Sequence, residues 1–200
     1  IATHSEENFD TSEMGLITRF DASLKGEIKK EQTKWFRHGV QIGFPTPVAD
    51  EANGVLYAVD NGAILFGFDL ATGNTLWTKK LGTIQKGSPV LADGKLYVGT
   101  ENGKVFILRP SATGVEVLDE DLLGTPGEPE IIVASPIVSD GRVYITSMDA
   151  MYAIGTYRPA AQRTRRTESA RTTGAGAVAH VQVFPYEALL GPGARQEFTV

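Results

Sequence analysis

Short apolar runs rich in β-branched and aromatic residues alternate along the chain with Asp, Asn and Gly. The clearest are VLYAV (55–59), KLYVG (95–99) and RVYIT (142–146). Runs of this length, bounded by turn residues, predict half-buried β-strands rather than helices. No apolar stretch approaches the roughly 18 residues that a membrane-spanning helix needs. The chain is therefore expected to be all-β, with many tight turns.

The runs recur. TPVADEANGVLYAV (46–59), SPVLADGKLYVG (88–99) and SPIVSDGRVYIT (135–146) align, with Pro47, Pro89 and Pro136 spaced by 42 and 47 residues and Tyr57, Tyr97 and Tyr144 by 40 and 47. Repeats of roughly 40–50 residues are the period of propeller blades. Each copy reads as a hairpin: a strand reaches Asp50, Asp93 or Asp140, and Gly54, Gly94 or Gly141 takes the turn, where glycine supplies the positive φ. A second turn follows at Asn61-Gly62 and again at Asn102-Gly103, a dipeptide that strongly signals a hairpin. Third strands are expected over AILFGFD (63–69) and KVFILR (104–109). A fourth strand closes the unit, most visibly in FDLATGNTLWTKKL (68–81). Four antiparallel strands per repeat make one blade.

The remaining copies are less regular. GLITRFDASLKGEIKKEQTKW (15–35) carries the third and fourth strands of an earlier blade, Phe20-Asp21-Ala22 matching Phe68-Asp69-Leu70, with a stretched turn after Gly26. Ile1-Ala2-Thr3 reads as the tail of that blade's second strand and 4–13 as a long polar loop. The copy at 135–154 has three strands before the pattern stops.

FDLATGNTLW (68–77) followed by SPVLADGKLYVGTENGKVFIL (88–108) resembles the pyrroloquinoline-quinone (PQQ) type β-propeller repeat of bacteria. That family includes quinoprotein alcohol dehydrogenases and propeller lipoproteins that assist outer-membrane barrel assembly. The resemblance covers about residues 1–155. It implies that a tryptophan ending each fourth strand packs between neighbouring blades, which here designates Trp35 and Trp77, together with the turn residues Asp21, Asp69, Gly73, Gly62 and Gly103. An indole at such a seam removes ~150–250 Å² from water. The third copy departs from the pattern, with Val117 and Leu118 read at the tryptophan position, so a looser seam is expected there.

These observations predict a partial β-propeller of about three four-stranded antiparallel blades, over 1–40 (partial), 46–81, 88–118 and 133–155 (partial). Closed propellers use typically 4–8 blades, so further blades are expected ahead of Ile1. Residues 156–178 change to Arg, Thr, Ala and Gly and read as a flexible linker, too poor in apolar side chains to offset its ordering entropy. Arg163, Arg165, Arg166 and Arg171 could form an anion-binding patch, but a solvated linker is the better reading. Residues 179–200 alternate and resemble the start of a bacterial immunoglobulin-like β domain.

Composition narrows the chemistry. A net charge of −5 with no basic stripe excludes a nucleic-acid partner as the expectation. With no cysteine, the vicinal disulfide that clamps the quinone in quinoprotein dehydrogenases cannot form. Both tryptophans are assigned to seams, and Asp69 sits where its carboxylate can cap Ala71-Thr72-Gly73. His4, His38 and His180 lack metal-ligand spacing, and Asp119, Glu120 and Asp121 lack the EF-hand pattern and read as a solvated loop. No catalytic, cofactor-binding or metal residue is therefore assigned. The expected function is a non-catalytic binding or scaffold module of a bacterial envelope or secreted protein, that location being implied by the resemblance alone. A protein or small-ligand partner is expected at the propeller rim, as on loop 122–130, or in the channel. The alternative is part of a PQQ- and Ca²⁺-dependent dehydrogenase whose active site lies in other blades. A structural spacer is the third reading.

Overall fold

The computed structural model describes residues 1–155, so the expected linker (156–178) and immunoglobulin-like segment (179–200) lie outside the described residues. Among the described residues the only helical element is a 3-10 turn at Lys30–Gln32; the rest is strand, turn and loop. The main strands form four antiparallel sheets in chain order. Blade 1 has three strands, β1 (Ala2–His4), β2 (Leu16–Phe20) and β3 (Thr33–His38). Blade 2 has four, β4 (Val48–Asp50), β5 (Val55–Val59), β6 (Ile64–Asp69) and β7 (Thr75–Lys80). Blade 3 has four, β8 (Val90–Ala92), β9 (Lys95–Gly99), β10 (Lys104–Ser111) and β11 (Gly114–Leu122). A two-stranded hairpin follows, β12 (Gly124–Thr125) with β13 (Glu128–Pro129). Blade 4 has three strands, β14 (Ile137–Ser139), β15 (Arg142–Thr146) and β16 (Met151–Gly155).

Each sheet is a meander of consecutive strands, and in blades 2 and 3 both faces are apolar because each packs on a neighbouring sheet. The pattern is clearest in β5, where all five residues are buried. Leu56 and Ala58 join Ile17, Trp35, Val40, Ile42 and Phe68 in the core between blades 1 and 2. Val55, Tyr57 and Val59 point the other way, joining Leu65, Leu81, Leu96, Val98, Phe106 and Leu108 between blades 2 and 3. The period-2 alternation of a strand thus feeds two cores from one sequence run. The core between blades 3 and 4 is much smaller, with Val105, Ile132 and Ile145 buried.

The outer strand carries a bulge at the same place in three blades. Arg19 pairs with Trp35 and Phe20 with Thr33, Gly67 with Trp77 and Phe68 with Thr75, Ile107 with Asp119 and Leu108 with Val117. One extra residue, Lys34, Leu76 or Leu118, is left unpaired each time, which bends the outer strand and re-aims the residue after it.

The structure corrects four expectations. The residue of blade 3 in the indole position is Asp119, not Val117 or Leu118, because the bulge shifts the match. Asp119, Glu120 and Asp121 lie in β11 rather than in a solvated loop, β11 being extended by pairing along the whole of β10, with Lys104 Nζ 2.5 Å from Glu120 Oε1. The fourth strand of that blade accordingly runs past 118, and loop 122–130 carries its own hairpin. Gly62 and Gly103 are also not equivalent. Gly103 takes φ +82°, but in blade 2 the matching residue is Ala63 at φ +58°, since Ala63 N–H bonds to Asp60 O as Gly103 N–H bonds to Thr100 O. Asp60 Oδ1 accepts the Ile64 N–H at 2.8 Å and holds that turn.

Candidate functional site: the blade seams and one loop rim

The chemistry-bearing residues of the repeat converge on the seams. Asp69 ends β6, and its Oδ1 accepts the backbone N–H groups of Ala71 (3.0 Å) and Thr72 (2.7 Å) and the Thr72 hydroxyl (2.9 Å). These bonds, the Thr72 N–H foremost, hold its carboxyl below the usual aspartate range. The capped turn presents Leu70 O, Thr72 O and Gly73 O to blade 1. There Trp35 donates its indole N–H to Leu70 O at 3.0 Å, Arg19 donates to the same carbonyl at 2.7 Å, and Arg37 donates to Gly73 O at 2.9 Å, to Thr72 O and to Asn74 Oδ1. The Trp35 ring lies on Gly73, where a Cβ would come within 2.5 Å of its carbons; the φ of +72° also requires glycine. Asp21 makes the shorter version of the same cap, accepting the Ser23 N–H at 2.9 Å.

The seam between blades 2 and 3 is built differently. Trp77 folds back over Gly67 of its own blade, whose absent Cβ would sit 2.4 Å from the ring, and donates its N–H to Ser111 O of blade 3 at 2.9 Å. Its ring meets Tyr57 at 6.0 Å between centroids. The buried Tyr57 hydroxyl faces Asp50 Oδ2 at 3.4 Å. Burial, and then the Asp50 carboxylate, push its pKa up to about 12. Because the folded-state value lies above the unfolded one near 10, the stabilising neutral phenol is fully present below pH 10. It is lost as pH rises towards 12. Tyr57→Phe should therefore flatten the alkaline limb of the stability-versus-pH curve between pH 10 and 12, measured by urea denaturation.

Sequence reading missed several contacts. The inner strands are stapled by hydroxyls: Ser88 Oγ accepts the Thr46 N–H at 2.8 Å, and Ser135 Oγ accepts the Ser88 N–H at 2.9 Å. The signal was present, since a Thr or Ser precedes the proline in each repeat. The Arg19 and Arg37 clasp and the buried Gln85, which donates to Gly99 O at 2.9 Å, occur once each and so leave no periodic trace. Glu130, at the foot of blade 4, accepts the Ser147 and Tyr152 hydroxyls, which hold its carboxyl low.

Of the histidines, His38 Nε2 lies 3.3 Å from Asp10 Oδ1, and Asp10 also pairs with Lys30. His4 and His38 line one cavity of about 430 Å³ on blade 1, with Phe9, Leu16, Phe20 and Phe36 among its other walls. His180 and the four tail arginines lie outside the described residues. Among the described residues no group of three or more His, Asp or Glu side chains is placed to hold a metal ion. One rim, made by the connectors between blades and the second turn of each blade, exposes Phe44, Ile84, Ile131, Val133 and Met148. Met148 N–H bonds to Ile131 O, and the Lys86 ammonium lies 5.7 Å from the centre of the Phe44 ring.

Meander sheets stacked face to face, with indoles docked from one onto the next, define part of a β-propeller. The chain belongs to the PQQ-repeat family whose model is described as outer membrane protein assembly factor BamB, matched over residues 20–188. Similar solved structures include BamB from Moraxella catarrhalis, at 19% identity over 62% of this chain and 36% of that one, with a TM-score of 0.48. The quinohemoprotein alcohol dehydrogenase ADHIIG from Pseudomonas putida HK5 is similar at 20% identity over 54% of this chain and 17% of that one, with a TM-score of 0.45. The quinohemoprotein alcohol dehydrogenase from Comamonas testosteroni matches at 24% identity over 53% and 17%, with a TM-score of 0.42. The chain thus spans about a third of the length of the first and about a sixth of the other two. No curated protein sequence matches it.

Proposed function

We propose that this chain is a non-catalytic binding module of a bacterial envelope or secreted protein, and that it engages a protein partner through the rim bearing Phe44, Ile84, Ile131, Val133 and Met148. The observation that carries this reading is how the repeat's polar and aromatic groups are used. Trp35, Trp77 and Asp69 are each committed to bonds within or between blades, whereas the rim leaves large apolar side chains in water, Phe44 and Met148 at 66% and 69% exposure. Grouped exposed apolar residues on a monomer mark interaction sites. Membership of a family described by an outer-membrane assembly factor supports a protein partner and an envelope location. No helix among the described residues is long and apolar enough to cross a membrane.

Phe44→Asp and Met148→Asp in the full chain should each weaken capture of envelope proteins about tenfold or more, the loss typical of a hot-spot residue. Glu51→Lys, on the opposite rim, should leave capture unchanged. Equal losses in all three would refute a rim site. Dye reduction with an alcohol or sugar after loading with PQQ and Ca²⁺ would overturn the non-catalytic reading in favour of the dehydrogenase.

A further inference from the structure

We infer that Glu130 is a positioning residue for the apolar rim, holding through Ser147 the turn that presents Met148; this rests on the rim being the partner-binding site. The second turn of blade 4 is built unlike its counterparts. It is one residue shorter, since Thr146 pairs with Met151 across 147–150, whereas Val59 pairs with Leu65 across 60–64 and Gly99 with Val105 across 100–104. Blades 2 and 3 close the turn with a backbone bond, Ala63 N–H to Asp60 O and Gly103 N–H to Thr100 O. In both, the donating residue takes a positive φ. Blade 4 has no residue of positive φ between Thr146 and Met151, although short hairpin turns favour one because it matches the strand twist. A side chain replaces the backbone bond: Ser147 Oγ accepts the N–H groups of Asp149 at 3.1 Å and Ala150 at 3.0 Å.

A hydroxyl that accepts two N–H groups must direct its own proton elsewhere. Glu130 Oε2 takes it, while Oε1 accepts the Tyr152 hydroxyl. These bonds, that of Ser147 foremost, hold the carboxyl below the usual glutamate range, so at neutral pH it is an ionised acceptor. Glu130 is itself anchored, its N–H bonding to Leu123 O at 2.9 Å, and the adjacent Ile131 O accepts the Met148 N–H at 2.9 Å. Two neighbouring residues of one connector thus grip the turn. What the turn carries is a largely exposed methionine, where turn chemistry favours Gly, Asn or Asp. Departures from a local rule are expected at functional positions. A turn ordered before binding also spares the partner the entropy of ordering it.

The probe is the set of envelope proteins retained by the full chain but not by its Met148→Asp variant. Glu130→Ala should lower retention of that set about tenfold, the scale of leaving a turn to be ordered on binding, and Ser147→Ala should do the same. Glu130→Gln, whose amide oxygen still accepts the Ser147 hydroxyl, should restore retention to within about twofold. In Glu130→Ala the Asp149 and Ala150 amides should exchange about tenfold faster, while those of β9 and β10 keep their protection, as expected of local opening. Full retention by Glu130→Ala, or a loss that Glu130→Gln fails to restore, would overturn the inference and leave the rim site standing. Loss of protection in β9 and β10 as well would make Glu130 a residue of the fold and overturn it too. An empty set would overturn the rim reading and this inference with it.

Discussion

Trp35→Ala should lower stability by about 3–5 kcal/mol, the range for a buried tryptophan cut to alanine. The indole is 7% exposed, and the blade 1–2 core is arranged around it, with Ile17, Leu56 and Phe68 as neighbours in the same cluster. Removing it also leaves Leu70 O without one of its two donors, Arg19 remaining. The loss should be confined to one seam. Residues 16–20 and 33–38 should lose protection against amide exchange, while β9 and β10 of blade 3, two sheets away, keep theirs, as expected where each repeat contacts only its neighbours. Trp35→Phe should recover part of the loss, because a smaller ring still covers Gly73 but cannot donate to Leu70 O. Urea unfolding of the three chains, with exchange mapped by mass spectrometry, checks both magnitude and place. Uniform loss of protection through all four blades would show that the sheets do not behave as separable units.

Gly67→Val should cost about 3 kcal/mol, the upper end of the usual range for overpacking. A Cβ at Gly67 would come within 2.4 Å of the Trp77 ring, and that ring is hemmed in by Tyr57 and tied to Ser111 O. The valine therefore expels the indole rather than shifting it by tenths of an ångström. Gly67→Val with Trp77→Ala should be less destabilised than the sum of the two single changes, because the second removes the clash created by the first. The double-mutant cycle, read by urea denaturation, tests this; strict additivity would mean that the ring does not lie on Gly67.

The two glycines show what the sequence made legible. Gly73 belongs to the DLATGN turn and stands out by motif, whereas Gly67 lies inside an apolar run where nothing but the coordinates reveals the ring above it. The blade count and the hairpins were readable because each strand repeats its two-sided apolar pattern at blade spacing. The end of blade 3 was not: one bulged residue, Leu118, moves the match from Val117-Leu118 to Asp119, and a bulge leaves little trace in a single sequence. Asp119-Glu120-Asp121 read as loop because strands rarely carry three consecutive carboxylates. Pairing along β10, with Lys104 beside Glu120, overrides that propensity. The same shift clarifies the small blade 3–4 core, since a carboxylate stands where blades 1 and 2 place an indole. The Asn102-Gly103 turn was misplaced by one residue, its centre being Glu101-Asn102 so that Gly103 matches Ala63, whereas the Asn61-Gly62 turn lies where it was read. The Asp60 side chain, rather than the glycine, sets that turn and leaves Ala63 with the positive φ.

The account rests on sheets joined by indoles, and with two tryptophans in 200 residues both indole signals can be resolved by proton NMR. The deciding measurement is a nuclear Overhauser spectrum recorded with indole N–H exchange. It should show Trp35 ring protons against the Gly73 α-protons, Trp77 ring protons against those of Gly67, and both N–H protons exchanging slowly. Fast-exchanging indoles without those cross-peaks would contradict it.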